Sequence, residues 1–206
     1  MPQADLYESL ASSMHNEKHA LVAIGANLAF GDFQPKATIT AAISRFAHHG
    51  LVVSKLSSLY QTPCFPAGAG PDYLNAAAKV TLRHEQNALD VLTILHTIEA
   101  EFGRERISRW AGRTLDLDLL ALGDSVLPDS KTYMHWQNLP PADQRSQTPN
   151  QLILPHPRLA DRAFVLVPLN DVAPGWQHPI SHQTVAQMLA ALSAEDRAVV
   201  VPLAAD

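Results

Sequence analysis

Asp116 and Asp118 stand two apart in "GRTLDLDLLAL" (residues 112–122), inside a run that is otherwise apolar. Leu115, Leu117, Leu119 and Ala121 alternate as one buried strand face should. Successive side chains on a strand point to opposite faces, so the two carboxylates share the other face, about 7 Å apart along the chain. Two ionised carboxylates in that arrangement repel each other and need a neutralising partner. A hard divalent cation meets that need. Mg²⁺ commonly takes one or two carboxylates and completes its shell with water and substrate phosphates. The plainer alternative is a strand edge that turns two soluble residues to water. For an isolated Asp-x-Asp that is the commoner case.

The preceding residues shift the balance. "GRERISRWAGR" (103–113) carries Arg104, Arg106, Arg109 and Arg113 against Glu105 alone, a local charge of +3, with Trp110 among them. Arginine forks match phosphate oxygens in paired hydrogen bonds. A basic loop running straight into a diacidic strand suits a polyphosphate held between cations of both kinds, although basic loops are often merely solvated. No G-x-x-x-x-G-K-[ST] loop is present, so a nucleotide would not be held by a P-loop. "GANLAFG" (25–31) reads as a plain strand-to-helix connection. In "TPCFPAGAGPDYLNA" (62–76), Tyr73 and Asn75 fall on one side of a strand. They form either a flat-ring platform with an amide for a heterocycle's edge, or a core tyrosine beside a turn asparagine. His48–His49 and the pair His15/His19 lie in polar stretches and read as surface histidines. His156 is pinned between prolines in "LPHPRL".

These groups need a scaffold. "HALVAIG" (19–25) reads as a buried strand. Pro35 opens a helix carrying Ile39, Ala42, Ile43 and Phe46, which Gly50 stops. Residues 51–61 read as a strand, 62–72 as a Pro/Gly-rich loop, and 73–82 as another strand. A helix follows from Asn87 to Phe102 through Leu89, Leu92, Leu95 and Ile98, with Gly103 as its C-cap. The diacidic strand comes next, and "SVLP" is expected to return from it. The order β-α-β-β-α-β predicts an α+β, ferredoxin-like core, an antiparallel sheet with two helices on one face. Residues 1–18 read as a loose tail ahead of a single domain, 19–206. Residues 129–151 read as a polar surface insertion. A C-terminal extension holds helices near Ala163–Leu169 and Thr184–Leu192 and a last strand in "AVVVPL".

Composition bounds the function. The chain has 206 residues, 47% of them hydrophobic and 17% charged, which suits one globular domain with a sizeable core. A net charge of −5 argues against a general nucleic-acid binder. Cys64 is the only cysteine, so neither a disulfide framework nor a cysteine-rich zinc site is expected. The first eighteen residues lack the basic start and apolar run of a secretory signal, and no stretch approaches the roughly 20 apolar residues of a membrane span. A cytoplasmic protein without membrane partners is expected.

"IGANL", "YQTPCFPAGAGPDYLNAA", "RWAGRTLDLDLL" and "LPHPRLADRAFVLVPL" resemble, in this order, four blocks of the 6-hydroxymethyl-7,8-dihydropterin pyrophosphokinase family, over about residues 20–180. The resemblance implies a ferredoxin-like monomer that moves diphosphate from ATP to the pterin hydroxymethyl group, with two Mg²⁺ ions, releasing AMP in folate biosynthesis. It implies that Asp116 and Asp118 hold both metals. Arg104 and Arg113 contact phosphates and assist transfer. His96, Glu99, Arg106, Trp110, His156 and Arg162 fall with Arg113 on the ATP side. Thr62, Phe65, Tyr73, Asn75 and Phe164 fall around the pterin, with Tyr73 and Phe164 as the stacking pair. The chain departs from many relatives at His96, where they carry Gln, at Ile153, and at Trp-Ala-Gly-Arg ahead of the diacidic strand.

Overall fold

The first strand, β1 (His19–Ala26), is buried along nearly its whole length because it is paired on both sides. The computed structural model describes residues 18–64, 68, 70–83, 85–104 and 113–204. After β1 come α1 (Pro35–His48), β2 (Val52–Leu56), β3 (Tyr60–Thr62), β4 (Tyr73–Thr81), α2 (Ala88–Glu101) and β5 (Asp116–Leu122). They form one antiparallel sheet ordered β5-β1-β4-β3, with β2 also on β4, and α1 and α2 pack on one face. This is the expected ferredoxin-like α+β core.

Local chemistry sets the helix limits. Pro35 lies in the first turn of α1, and Gly50 (φ +78°) ends the segment. Asn87 caps α2 in a box with Asp90. The buried stripe of α2 runs through Ala88, Val91, Leu95 and Ile98. It leaves out Leu89, which is 62% exposed despite its helical spacing. Burying one such aliphatic side chain contributes about 1.5–3 kcal/mol.

Several expectations are corrected. The strand expected over 51–61 is two strands. Ser57 interrupts it because its hydroxyl accepts from the Ala77 N–H at 2.8 Å and donates to the Ser58 carbonyl at 2.7 Å. Ala121 does not share the face of Leu115, Leu117 and Leu119. A bulge between Leu21 and Val22 shifts the register, and Leu120 and Ala121 join the opposite core. "SVLP" forms no return strand, and Leu127 makes only an isolated bridge with Leu154. The stretch 129–151, expected as a polar surface insertion, holds α3 (Ser130–Gln137) and α4 (Pro141–Ser146). Asp129 caps α3 by accepting from the Thr132 N–H at 2.9 Å.

The C-terminal extension covers the second face of the sheet. α5 (Ala163–Val172) and α6 (Val185–Ala191) bury Leu166, Leu169, Val185 and Met188 against Leu21, Ala77 and Leu120. An unexpected α7 (Ala194–Ala198) follows, and the last strand shortens to β6 (Val201–Pro202), paired with β3. The insertion is fastened to this layer. Tyr133 and His178, each 1% exposed, meet at 2.8 Å. His178 Nδ1 accepts from the N–H groups of Ile180 and Ser181, so its Nε2–H donates to the tyrosine oxygen. The expected tail lies outside the described residues apart from Lys18. No helix among the described residues is long and apolar enough to cross a membrane.

Candidate active site

Gly25 is the centre of the site. It pairs with Asp116 of β5 on one side and with Asn75 of β4 on the other. One row of the sheet therefore reads carboxylate, bare backbone, amide. Two strand spacings separate the outer members by roughly 10 Å. A methyl on Gly25 would meet Asn75 Oδ1 at 3.4 Å and Asp116 Cβ at 3.9 Å. The glycine thus leaves the floor open between the two groups. Asp118 occupies the next row, opposite Ala23. Both aspartates lie on the face that α5 covers, while Leu115, Leu117 and Leu119 anchor the strand beneath.

Asp116 is held by two arginines. Arg104 pairs with its Oδ1 and Arg113 with its Oδ2. Asp118, half-buried, has no hydrogen bond or ion pair among the described residues. Burial and the charge of Asp116 push its carboxyl up to about 6, against the pull of Arg162, Arg113 and Arg104. Burial lowers the Arg113 pKa, but Asp116 and Asp118 outweigh it and raise the value overall. Burial is also the main cause that lowers Arg162. Arg162 precedes α5 and lies 5.7 Å from the ring centre of Phe164, which is exposed.

The acidic pair suits a hard divalent cation. Two carboxylates share a face, and one is under-compensated by its neighbours. Among the described residues no three His, Cys, Asp or Glu are grouped to hold a metal by themselves. An ion here would draw its remaining oxygens from substrate and water, the habit of Mg²⁺.

Glu99, 2% exposed, sits under the site. Its Oε1 accepts from the Leu117 N–H at 2.7 Å and pairs with Arg104. It ties α2 to the diacidic strand and orients an arginine. On the β4 side, Asn75 donates to Thr62 Oγ1 at 2.8 Å, and Tyr73 stands opposite Thr62. Burial raises the Tyr73 phenol. His156 is half-buried, its backbone N–H bonded to the Leu120 carbonyl at 2.7 Å. Its Nδ1 accepts from the Arg158 N–H at 3.0 Å, so the neutral ring carries its proton on Nε2. Burial, then Arg162 and Arg158, push His156 down to about 3. His96 is half-buried on α2. Phe65, Arg106 and Trp110 lie outside the described residues.

Asn27 was not singled out by sequence reading. It is 4% exposed and clamps three segments. Its Nδ2 donates to the Pro71 carbonyl at 3.1 Å, and its Oδ1 accepts from the Arg113 N–H at 2.8 Å. The backbone N–H groups of Asn27 and Leu28 both donate to the Arg113 carbonyl. Its partners are 44 and 86 residues away, and its only local signal was the "GAN" that ends β1. Gly103 (φ +70°) closes α2 where a Cβ would lie 2.7 Å from the Phe30 ring.

Residues 21–174 match the family profile of 7,8-dihydro-6-hydroxymethylpterin-pyrophosphokinase (HPPK). A 2-amino-4-hydroxy-6-hydroxymethyldihydropteridine pyrophosphokinase of Pseudomonas aeruginosa is 37% identical over 162 residues, 77% of this chain and 82% of that protein. One from Synechocystis is 36% identical over 140 residues, 68% of this chain and 60% of that protein. A triple mutant of Plasmodium falciparum HPPK-DHPS is similar in fold, with a TM-score of 0.58 at 14% identity over 84% of this chain. This chain spans 44% of that one and 60% of the Synechocystis protein. The aligned stretch contains every residue of the Gly25 row, and by that match the chain belongs to the 7,8-dihydro-6-hydroxymethylpterin-pyrophosphokinase family.

Proposed function

We propose that the protein transfers diphosphate from ATP to the hydroxymethyl group of 6-hydroxymethyl-7,8-dihydropterin, giving AMP and the pterin diphosphate for folate biosynthesis. The family's name states pyrophosphoryl transfer to this pterin. The observation that carries the reading is the row Asp116–Gly25–Asn75, which sets the Asn75 amide across an open floor from a carboxylate gripped by arginines.

Each residue has a role in that reading. Tyr73 and Phe164 stack on the pterin, with Thr62, Asn75 and Phe65 around its edge. Arg104 and Arg113, released from Asp116 when substrate brings its own anions, hold the phosphates in line for transfer. Arg162 and His156 bind on the ATP side, His156 as a neutral Nε2–H donor. His96, Arg106 and Trp110 contribute there, and Glu99 acts from beneath through Arg104 and the Leu117 backbone. Two Mg²⁺ ions, held by Asp116 and Asp118, would neutralise charge along the triphosphate and acidify the attacking hydroxyl. In the reaction the pterin oxygen bonds to the β-phosphorus as the bond to the α-phosphate oxygen breaks and AMP departs. The hydroxyl proton is released. The protein works on these small molecules as a cytoplasmic monomer, without nucleic acid or membrane.

Product analysis tests the reading. With Mg²⁺, ATP and the reduced hydroxymethylpterin, AMP and pterin diphosphate are expected in equal amounts, and no AMP without the pterin. ADP as the nucleotide product would replace the reading with an ordinary kinase.

A further inference from the structure

A cavity of about 520 Å³ opens at the end of β1 away from Gly25. It falls within the range typical of small-molecule sites. Six residue steps of strand separate His19 at its edge from Gly25 at the active site, roughly 20 Å of chain. Lys18, Lys55 and Lys79 line it, together with His19, Asp124 and Trp176.

Lys18 and Lys55 are exposed at the rim and Lys79 is half-buried. Lys55 and Lys79 are direct partners across the β2–β4 ladder, where like charges repel. Among the described residues Lys18, Lys55 and Lys79 have no ion-pair partner. Among the described residues, Asp124 is the one carboxylate in the lining. The C-terminal end of α5 adds a partial negative charge at Val172 and Ala173, which suits one cation rather than three. The Trp176 indole N–H is engaged with the Gly123 carbonyl at 2.8 Å, so the tryptophan contributes a wall and not a free donor. The cavity therefore presents several ammonium groups around a space with too little negative charge of its own.

We propose that this cavity is an anion site, separate from the active site, for a compact polyanion of the diphosphate class. Bound oxygens would accept from the lysine ammoniums and relieve the Lys55–Lys79 repulsion. Such a group arrives either as inorganic diphosphate or on a nucleoside diphosphate. The site does not depend on the reaction proposed above.

The test is a titration of the full chain in magnesium-free buffer at constant ionic strength, followed by amide and indole NMR. Inorganic diphosphate is expected to shift the Gly123 amide and the Trp176 indole saturably. Lys55→Ala/Lys79→Ala should weaken that binding at least tenfold, while shifts around Arg113 persist and diphosphotransfer at saturating substrate stays within twofold of wild type. The milder Lys79→Gln, which removes the like-charge pair, should weaken it in the same direction if the double variant does not fold. A parallel titration with ADP identifies the source: tighter binding than diphosphate at the same resonances means a nucleotide-borne group, weaker binding the inorganic ion. Unmoved Gly123 and Trp176 signals, equal affinity in the lysine variants, or the same shifts with chloride would overturn the proposal.

Discussion

Asn27→Ala removes a buried side chain that touches no reacting atom in the proposed mechanism, yet it should impair both stability and turnover. Two hydrogen bonds disappear, to the Arg113 N–H and to the Pro71 carbonyl. The Arg113 N–H loses its partner in a half-buried setting, which costs about 1–3 kcal/mol. Pro71 is exposed and its carbonyl can turn to water, so that loss is nearer about 0.5–1.5 kcal/mol. The sum, about 1.5–4.5 kcal/mol, lowers Tm by roughly 3–18 °C for a chain of this size. The backbone bonds from Asn27 and Leu28 to the Arg113 carbonyl remain, so the segments stay attached while Arg113 loses its register. Misplacement of a phosphate-holding arginine by about 1 Å should reduce kcat roughly tenfold to a hundredfold. Asn27→Asp keeps the acceptor for Arg113 and loses the donor to Pro71, and should fall between. Thermal unfolding and steady-state AMP release measure both effects. Asn27→Ala with wild-type Tm, or with lowered Tm but kcat within twofold of wild type, would refute the clamp as a positioning device.

Two further predictions concern other parts of the molecule. Tyr133→Phe leaves the His178 Nε2–H without its acceptor and should cost about 1–3 kcal/mol, read as a shift in urea midpoint; an unchanged midpoint would show that the insertion is not fastened there. His156, with its pKa pushed down to about 3, should stay neutral and protonated on Nε2 between pH 5 and 8. The unfolded chain binds that proton near pH 6.5, so this residue's contribution to stability is lost as pH falls from about 6.5 to about 3. Nitrogen shifts of the ring that titrate near 6.5 would contradict this.

Sequence reading succeeded where the signal was local. The period-2 leucines around Asp116 and Asp118, Pro35 ahead of α1 and Gly103 after α2 each state their structure within one turn or strand. The shared face of the two aspartates followed from alternation alone. What stayed hidden was set by distant partners. Ser57 breaks a strand through its bond to Ala77, and the bulge at Leu120 answers to β1. The polar composition of 129–151 masked a helix that Asp129 and Thr132 begin and that a single buried tyrosine docks. The Lys55–Lys79 pairing depends on a register that no spacing in the sequence reveals.

Asp118 gives the most direct test of the cation assignment. Its carboxyl sits at about 6 instead of its ordinary 3.8, so the fold favours the protonated form and ionisation at pH 7 opposes folding, by up to about 3 kcal/mol. That opposition grows as pH rises from about 3.8 to about 6 and is constant above. Asp118→Asn removes the charge and keeps the shape. In unfolding experiments at pH 7 without divalent ions, the variant should be at least as stable as wild type. In calorimetric titration with Mg²⁺ and an unhydrolysable ATP analogue, it should lose metal binding. A variant that is destabilised, or that binds Mg²⁺ as wild type does, would contradict the account.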